Sequence, residues 1–400
     1  MNPVPISLLI VDDDPVFARL VLQLVQSLGS ELTCISQVAD TAGKALAELA
    51  RNAYELVLLD YNLPDGDGLQ VLAQIRTLAP DQQPAVIMLT ASGSEAVAVE
   101  AMKRGAKDYL TKANLDVASL MRAVQSALAQ KRLAAQVAAY HTQMEAELQM
   151  ARKLQQSLFP DRYPVFPRAG APDQSALQFC HRFYPAMHLA GDFFSVLKLS
   201  DTRAAVFLCD VMGHGVRSAL VTAMMRAWVD DLASESTDPA EFLGELNRRL
   251  ARVFRQSDGS MFATAFYLVT DLAAGEIHYA NAGHPRPLHF HHADGLVSPL
   301  TLPPHPGPAL GLFEDAKYLC AQGPLLRGDR LLLFTDGLFE VMDAAGHFGF
   351  GQDRLLEAAR ARMGLPAADL LDGLVAEARA FSGGAEFSDD VCLLALEVTT

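Results

Sequence analysis

Asp12 and Asp13 close one short apolar run, Asp60 closes another, Thr90 a third, and Lys112 follows a fourth. Three carboxylates brought to one place repel each other and need a cation, and an all-oxygen set of this kind suits Mg²⁺. The hydroxyl of Thr90 can hydrogen-bond a phosphoryl oxygen, and the ammonium of Lys112 can pair with its charge. A carboxylate in such company is suited to accept a phosphoryl group covalently. Single aspartates at strand ends are common surface features, but five residues of the right types at successive strand ends are read here as one site.

A second set occupies the C-terminal half: Gly191-Asp192-Phe193, Cys209-Asp210-Val211-Met212-Gly213-His214-Gly215, Thr335-Asp336-Gly337 and Ser388-Asp389-Asp390. Each follows or opens an apolar run. A glycine beside an acid lets the backbone approach a metal closely and frees a carbonyl as a ligand. Acids without cysteine or clustered histidine partners indicate hard metals, Mg²⁺ or Mn²⁺. Two such ions about 3.5–4 Å apart can share a water, lower its pKa and aim it at phosphorus. Any one Asp-Gly pair alone would be only a turn; the order and spacing of the set carry the reading.

The elements that position these residues follow from periodicity. In 6–128, apolar runs at 6–11, 32–38, 55–60, 85–90 and 108–110 alternate with amphipathic stretches at 15–28, 40–51, 67–77 and 94–104. Such alternation predicts a five-stranded, doubly wound parallel α/β sheet, whose ligand site lies at the C-terminal strand ends. From Asn114 to Leu158 there is neither glycine nor proline, and Val137, Tyr140, Met144, Leu148, Ala151, Leu154 and Leu158 recur at steps of three and four. This predicts one long helix with an apolar seam, compatible with a short coiled coil. Pro160 and the Pro164–Pro172 cluster end it.

Beyond it, strands are expected at 177–184, 191–199, 203–210, 261–270, 275–282, 316–322, 329–335 and 391–398. Helices are expected at 214–232, 238–256, 351–362 and 366–381. The pattern predicts an α+β sandwich. The expected organisation is a domain over 1–125, a helical linker over 126–159 and a second domain over 160–400.

Composition bounds the function. Of 400 residues 50% are hydrophobic, enough for real cores, and the net charge of −15 argues against a nucleic-acid-binding output and against anionic membrane. No apolar run reaches the roughly 18 residues a membrane span needs, and the N-terminus lacks a basic leader. Five scattered cysteines match neither a disulfide framework nor a zinc site. A cytoplasmic protein is expected. His289, His291 and His292 are read as a solvated strand end, since 289 and 291 share a strand face and 292 points away.

Residues 6–125 resemble a response-regulator receiver domain. The segments that carry the resemblance are Leu8–Pro15, Asp60-Tyr61-Asn62-Leu63-Pro64-Asp65-Gly66-Asp67-Gly68, Leu89-Thr90-Ala91 and Asp108-Tyr109-Leu110-Thr111-Lys112. The resemblance implies that Asp60 is the phosphoacceptor. Asp12, Asp13, Asp60 and the backbone carbonyl of Asn62 would hold Mg²⁺, Thr90 and Tyr109 would form a switch pair, and Lys112 would contact the phosphoryl group. Ala113 replaces a proline usual after the lysine, so no cis bond is expected there.

Residues 160–400 resemble the SpoIIE-type branch of the metal-dependent (PPM) serine/threonine phosphatases. The motifs are Ala190-Gly191-Asp192-Phe193-Phe194, Asp210–Gly215, Asn281-Ala282-Gly283-His284-Pro285, Thr335–Glu340 and Asp389-Asp390. The resemblance implies two Mg²⁺ or Mn²⁺ ions, with Asp210 bridging them and the Val211 carbonyl serving one. Asp192, Asp336 and Asp389 would complete the shell.

Ala151–Pro160 resembles the family's switch helix. Ser195, Cys392 and Ala190 depart from the usual residues, and none removes a core ligand. His214 is open between a general acid and a helix cap, while Asn281 and His284 read as structural.

Together these resemblances imply a response regulator whose output is a phosphoprotein phosphatase. Its partners would be a histidine kinase or phosphotransfer protein and a phosphorylated STAS-type anti-sigma-factor antagonist, with a homodimer through the linker helix. The alternative is a non-catalytic adaptor that binds a sigma factor or its regulator in a phosphorylation-dependent way. Loss of metal acids would mark that alternative.

Overall fold

The computed structural model describes residues 5–27, 33–80, 82–91, 95–160, 162–167, 172–213, 215–235, 238–255 and 261–399. His214 therefore lies outside the described residues. The chain divides into two compact units, 1–145 and 146–400.

The first unit runs β1 (Ile6–Val11), α1 (Pro15–Ser27), β2 (Cys34–Ala39), α2 (Ala42–Arg51), β3 (Leu56–Asp60), a small hairpin of β4 (Asn62–Leu63) and β5 (Gly66–Asp67), α3 (Gly68–Ile75), β6 (Ala85–Thr90), α4 (Glu95–Lys103) and β7 (Asp108–Thr111). The sheet order is β2-β1-β3-β6-β7, parallel throughout. The inner strands β3 and β6 are buried along their whole length, as both faces of a parallel sheet are covered by helices. Ile10, Leu58 and Ile87 point into one apolar layer, and Leu9, Val57 and Met88 into the other. Thr41 and Asp67 cap α2 and α3 by accepting the N–H groups of Lys44 and Gln70 at 3.1 and 2.8 Å, which fixes where each helix leaves the strand ends.

α5 (Val117–Gln156) is continuous for 40 residues. Its first turns bury Leu120, Ala123, Val124, Ala127 and Leu128 against β1, β3 and β6. Further along, Leu133, Val137, Tyr140, Met144 and Leu154 are exposed, so most of the expected seam faces solvent within one chain. Among the described residues, no helix is long and apolar enough to cross a membrane.

The second unit is a sandwich of two antiparallel sheets between two helix pairs. Its elements are β8 (Leu177–Tyr184), β9 (Asp192–Lys198), β10 (Arg203–Val211), α6 (Val216–Glu235), α7 (Pro239–Phe254), β11 (Ala263–Asp271), β12 (Glu276–Ala282), β13 (Leu288–His291), β14 (Leu296–Pro299), β15 (Ala321–Pro324), β16 (Arg330–Phe334), α8 (Gly351–Ala361), α9 (Ala367–Phe381) and β17 (Val391–Val398). One sheet is ordered β15-β12-β11-β10-β9 and the other β14-β13-β16-β17-β8.

Period-2 alternation builds the layers. Along β10, Val206 and Leu208 face the other sheet, where Leu331, Leu333 and Leu394 meet them. Ala205, Phe207 and Cys209 face α6 and α7, and the outer face of the second sheet is covered by α8 and α9.

Two expectations are corrected. The strand expected at 316–322 starts only at Ala321, because Tyr318 instead buries its ring in the space left by the missing side chain of Gly307. His289 is not solvated: it is buried on β13, with its Nε2 3.1 Å from the Asp329 carboxylate.

Candidate phosphoacceptor and active sites

At the C-terminal edge of the parallel sheet, Asp12 follows β1 and Asp60 ends β3, and both are buried. Lys112 opens a 3₁₀ turn after β7, and its Nζ lies 2.7 Å from Asp12 Oδ2 and 2.8 Å from Asp60 Oδ2. Burial pushes the Asp60 carboxyl upward against the pull of Lys112. For Lys112, burial works downward, but the two carboxylates outweigh it and hold the ammonium above its usual range. Carboxylate oxygens of Asp12, Asp13 and Asp60 all fall within 4.8 Å of one another. One lysine cannot balance three acids, so the donor set fits a hard divalent cation.

Thr90 ends β6 and is buried, while Tyr109 on β7 is 44% exposed. The Lys112–Ala113 peptide is trans, as the missing proline led us to expect. A Cβ at Gly68 would run into the Asp60 carbonyl, so the chain after Asp60 can turn back this tightly only with glycine there.

The second cluster forms where β9 and β10 run side by side. Asp192 and Asp210 are direct cross-strand partners, an arrangement of like charges that is unfavourable without a counter-ion. Asp336 follows β16 and Asp389 precedes β17, both from the opposite sheet. Burial raises Asp210 to about 7, with Asp336 and Asp389 adding to the effect. Burial and then Glu340 and Asp389 raise Asp336 to about 6. The carboxyl of Asp192, fully enclosed, is pushed well above the usual carboxylate range by burial and then by Asp210 and Asp390. The cluster is carboxylate throughout. Cys209 and Cys392 lie beside Asp192, but burial holds their thiols protonated, which leaves no soft ligand. This chemistry fits hard divalent ions.

Residues that stand in the sequence motifs without an assigned role hold the cluster in place. Thr335 Oγ1 donates to Asp192 Oδ2 at 2.6 Å and accepts the Cys392 N–H at 2.9 Å, joining the two sheets behind the acids. Asp390 is buried and accepts the N–H groups of Ala186 and Gly191 at 2.8 and 2.6 Å, while Asp389 beside it is exposed. Gly191 and Gly337 are needed sterically. A Cβ at 191 would strike the Val211 and Gly213 carbonyls, and one at 337 the Asp390 carbonyl.

Gln155, on the last turn of α5, is buried. It donates to the Ala190 carbonyl at 2.7 Å and accepts the Ala190 N–H at 2.9 Å, two residues from Asp192. Only its place in the Ala151–Pro160 segment hinted at this.

The departures from the usual motif are accommodated locally. Ser195 faces α6, where its Oγ accepts from Arg226 at 3.1 Å, on the opposite face of β9 from Asp192. Asn281 brackets His284 by bonding both its N–H and its carbonyl. Burial drives the His284 imidazole down to about 3, and its Nδ1 meets Thr264, the β11 partner of Asp210.

These shifts fix a pH dependence for the metal-free protein. Carboxyls held near 6 and 7 in the fold, against about 3.9 in the unfolded chain, bind protons more tightly when folded. Stability is therefore greatest below about pH 4 as far as these groups are concerned, and falls as pH rises through 6–7. In chelator, the thermal midpoint should drop between pH 5 and pH 8, Asp210→Asn should reduce that drop, and Mg²⁺ should reverse it. A midpoint independent of pH in chelator would contradict the charge clustering.

A parallel sheet with buried aspartates, a lysine and a threonine at its carboxyl edge defines a receiver-type domain. A double sandwich with carboxylates converging from both sheets defines a PP2C-type fold. The family model for Stage II sporulation protein E (SpoIIE) matches residues 200–399, and that for the response regulator receiver domain matches residues 8–147. The chain belongs to the SpoIIE family and carries a receiver domain ahead of its SpoIIE domain.

It is 27% identical to the phosphoserine phosphatase RsbP of Bacillus subtilis (strain 168), over 63% of this chain and 58% of RsbP. It is 28% identical to the phosphoserine phosphatase RsbU of the same organism, over 50% of this chain and 55% of RsbU. The chain thus spans a little over half the length of these curated relatives. The solved SiaA-PP2C domain of Pseudomonas aeruginosa shares the fold, with a TM-score of 0.55 and 24% identity, covering 65% of this chain and 99% of that one.

Proposed function

We propose that the protein is a response regulator whose phosphorylation at Asp60 controls a metal-dependent protein serine/threonine phosphatase. The observation that carries the reading is the pairing of Asp192 with Asp210 across β9 and β10, met by Asp336 and Asp389 from the opposite sheet. Asp210 is the proposed bridge between two Mg²⁺ or Mn²⁺ ions, with the Val211 carbonyl, Asp192, Asp336 and Asp389 completing their shells. Bound there, such ions supply a water acidic enough to be a nucleophile and neutralise charge on the phosphoryl group.

The chain's own residues do the positioning. Thr335 orients Asp192, Asp390 ties Gly191 and Ala186 to the β17 end, and Gln155 fixes the backbone beside Asp192. The RsbP and RsbU likenesses support a phosphoserine or phosphothreonine protein substrate, for which we propose a STAS-type anti-sigma-factor antagonist. The complete set of acids favours hydrolysis over the adaptor alternative.

In the receiver, Asp60 attacks the phosphorus of a donor supplied by a histidine kinase or phosphotransfer protein, and the donor's leaving group departs. Lys112 balances charge on the incoming group, while Asp12, Asp13, Asp60 and the Asn62 carbonyl are the proposed Mg²⁺ ligands. Thr90 and Tyr109 are the proposed switch pair.

We read α5 as the relay, acting in a parallel dimer through Val137, Tyr140, Met144 and Leu148. The first three are exposed in the single chain, and the helix's last turn holds Ala190. Insertion of two glycines near Gln143 should abolish the effect of Asp60 phosphorylation on turnover while leaving unstimulated turnover intact. Regulation that survives the insertion would remove the relay. The function itself is tested by phosphate release from a phosphorylated antagonist: turnover is expected with Mn²⁺ or Mg²⁺ and none in chelator. No metal-dependent release from any phosphoprotein would return the adaptor reading.

A further inference from the structure

The side chains of His289, His291 and Asp329 bring one ligand atom each within 4.8 Å of one another, in a part of the molecule that the proposed reaction does not use. His289 and His291 share one face of β13, with ring centroids 3.8 Å apart. Asp329 reaches them from the turn just before β16. That turn is fixed independently, because Asp329 also accepts the N–H groups of His292 and Leu326, both at 2.9 Å. Gly328 has φ +87°, and any Cβ on it would collide with the His292 ring, so the backbone is shaped around this corner. The neighbouring cation is turned away, since Arg330 is engaged by Glu397.

The separation of His289 Nε2 from Asp329 Oδ2 is 3.1 Å. Two ligands on a tetrahedral ion with bonds of about 2.0–2.1 Å stand about 3.3 Å apart. The buried pair therefore already spans one edge of such a polyhedron. His291 is only half-buried at the sheet margin, so its ring can turn to supply a third ligand. Two imidazoles with one carboxylate form the ligand set of zinc, in contrast to the carboxylate-only cluster that suits Mg²⁺ or Mn²⁺. Asp329 enters β16 and Asp336 leaves it, which separates the two sites by roughly 20 Å at strand rise.

We propose that His289, His291 and Asp329 form a zinc site distinct from the acid cluster, fastening the β13–β14 hairpin to the turn between β15 and β16. The probe is Zn²⁺ itself, added to chelator-stripped full-length protein in millimolar Mg²⁺, with retained zinc counted by elemental analysis after desalting. Wild type should retain one more zinc per chain than His291→Ala. Co²⁺ in place of zinc should give visible bands of a tetrahedral ion in wild type alone. Because His291 is half-buried, its variant should keep the wild-type thermal midpoint in Mg²⁺ without zinc, while zinc should raise the midpoint only of wild type. Equal retention by both proteins would place the zinc elsewhere and overturn the site. No retention by wild type would reduce the cluster to a buried histidine–aspartate hydrogen bond.

Discussion

Asp210→Ala should lose metal-dependent phosphoprotein turnover by more than about a hundredfold while the protein stays folded. Altering even the outer partners of metal ligands costs roughly 10–100-fold, and Asp210 is the residue proposed to serve both ions. The fold should tolerate the change because Asp210 sits at the last pair of the β9–β10 ladder, after the apolar run Ala204–Cys209 that anchors the strand. Removing it also relieves Asp192 of a like charge directly opposite, so in chelator at pH 8 the variant should be at least as stable as wild type. The test is kcat with Mn²⁺ alongside the thermal midpoint in chelator. Full activity would mean the site is misplaced. Lost activity accompanied by unfolding would mean that Asp210 is structural.

Asp60→Asn should abolish phosphorylation by a small donor such as acetyl phosphate, since the amide cannot form the acyl phosphate. Wild type should carry an acid-stable, hydroxylamine-labile label and the variant none. The amide is nearly isosteric with the carboxylate it replaces, and Lys112 keeps its partner Asp12 at 2.7 Å, so the rest of the site should persist. Undiminished labelling of the variant would overturn the assignment.

The sequence made both clusters legible because each acid borders a run of apolar residues, closing it or opening it. Asp60 after Leu56–Leu59 and Asp210 after Ala204–Cys209 could only fall at strand ends. Less legible was what holds the acids. Adjacency in Asp389-Asp390 does not say which side chain turns inward, and it is Asp390 that is buried and bonded to Gly191. Gln155 grips Ala190 from 35 positions away, a contact that no local pattern encodes.

On β13 a strand end was legible but its burial was not, because its polar histidines break the apolar alternation. His289 is buried only because Asp329 meets it from 40 residues further on. The exposed apolar residues of α5 were visible as a seam, but a seam does not name its partner.

The central claim is that phosphorylation at Asp60 sets the rate of the metal-dependent hydrolysis carried out by the second unit. It is tested most directly by measuring phosphate release from a phosphorylated antagonist by the full-length protein in Mn²⁺, with and without acetyl phosphate, in wild type and Asp60→Asn. The proposed function predicts a rate that changes on phosphorylation in wild type and stays constant in the variant. An identical rate in all four conditions, with wild-type labelling confirmed, would contradict it.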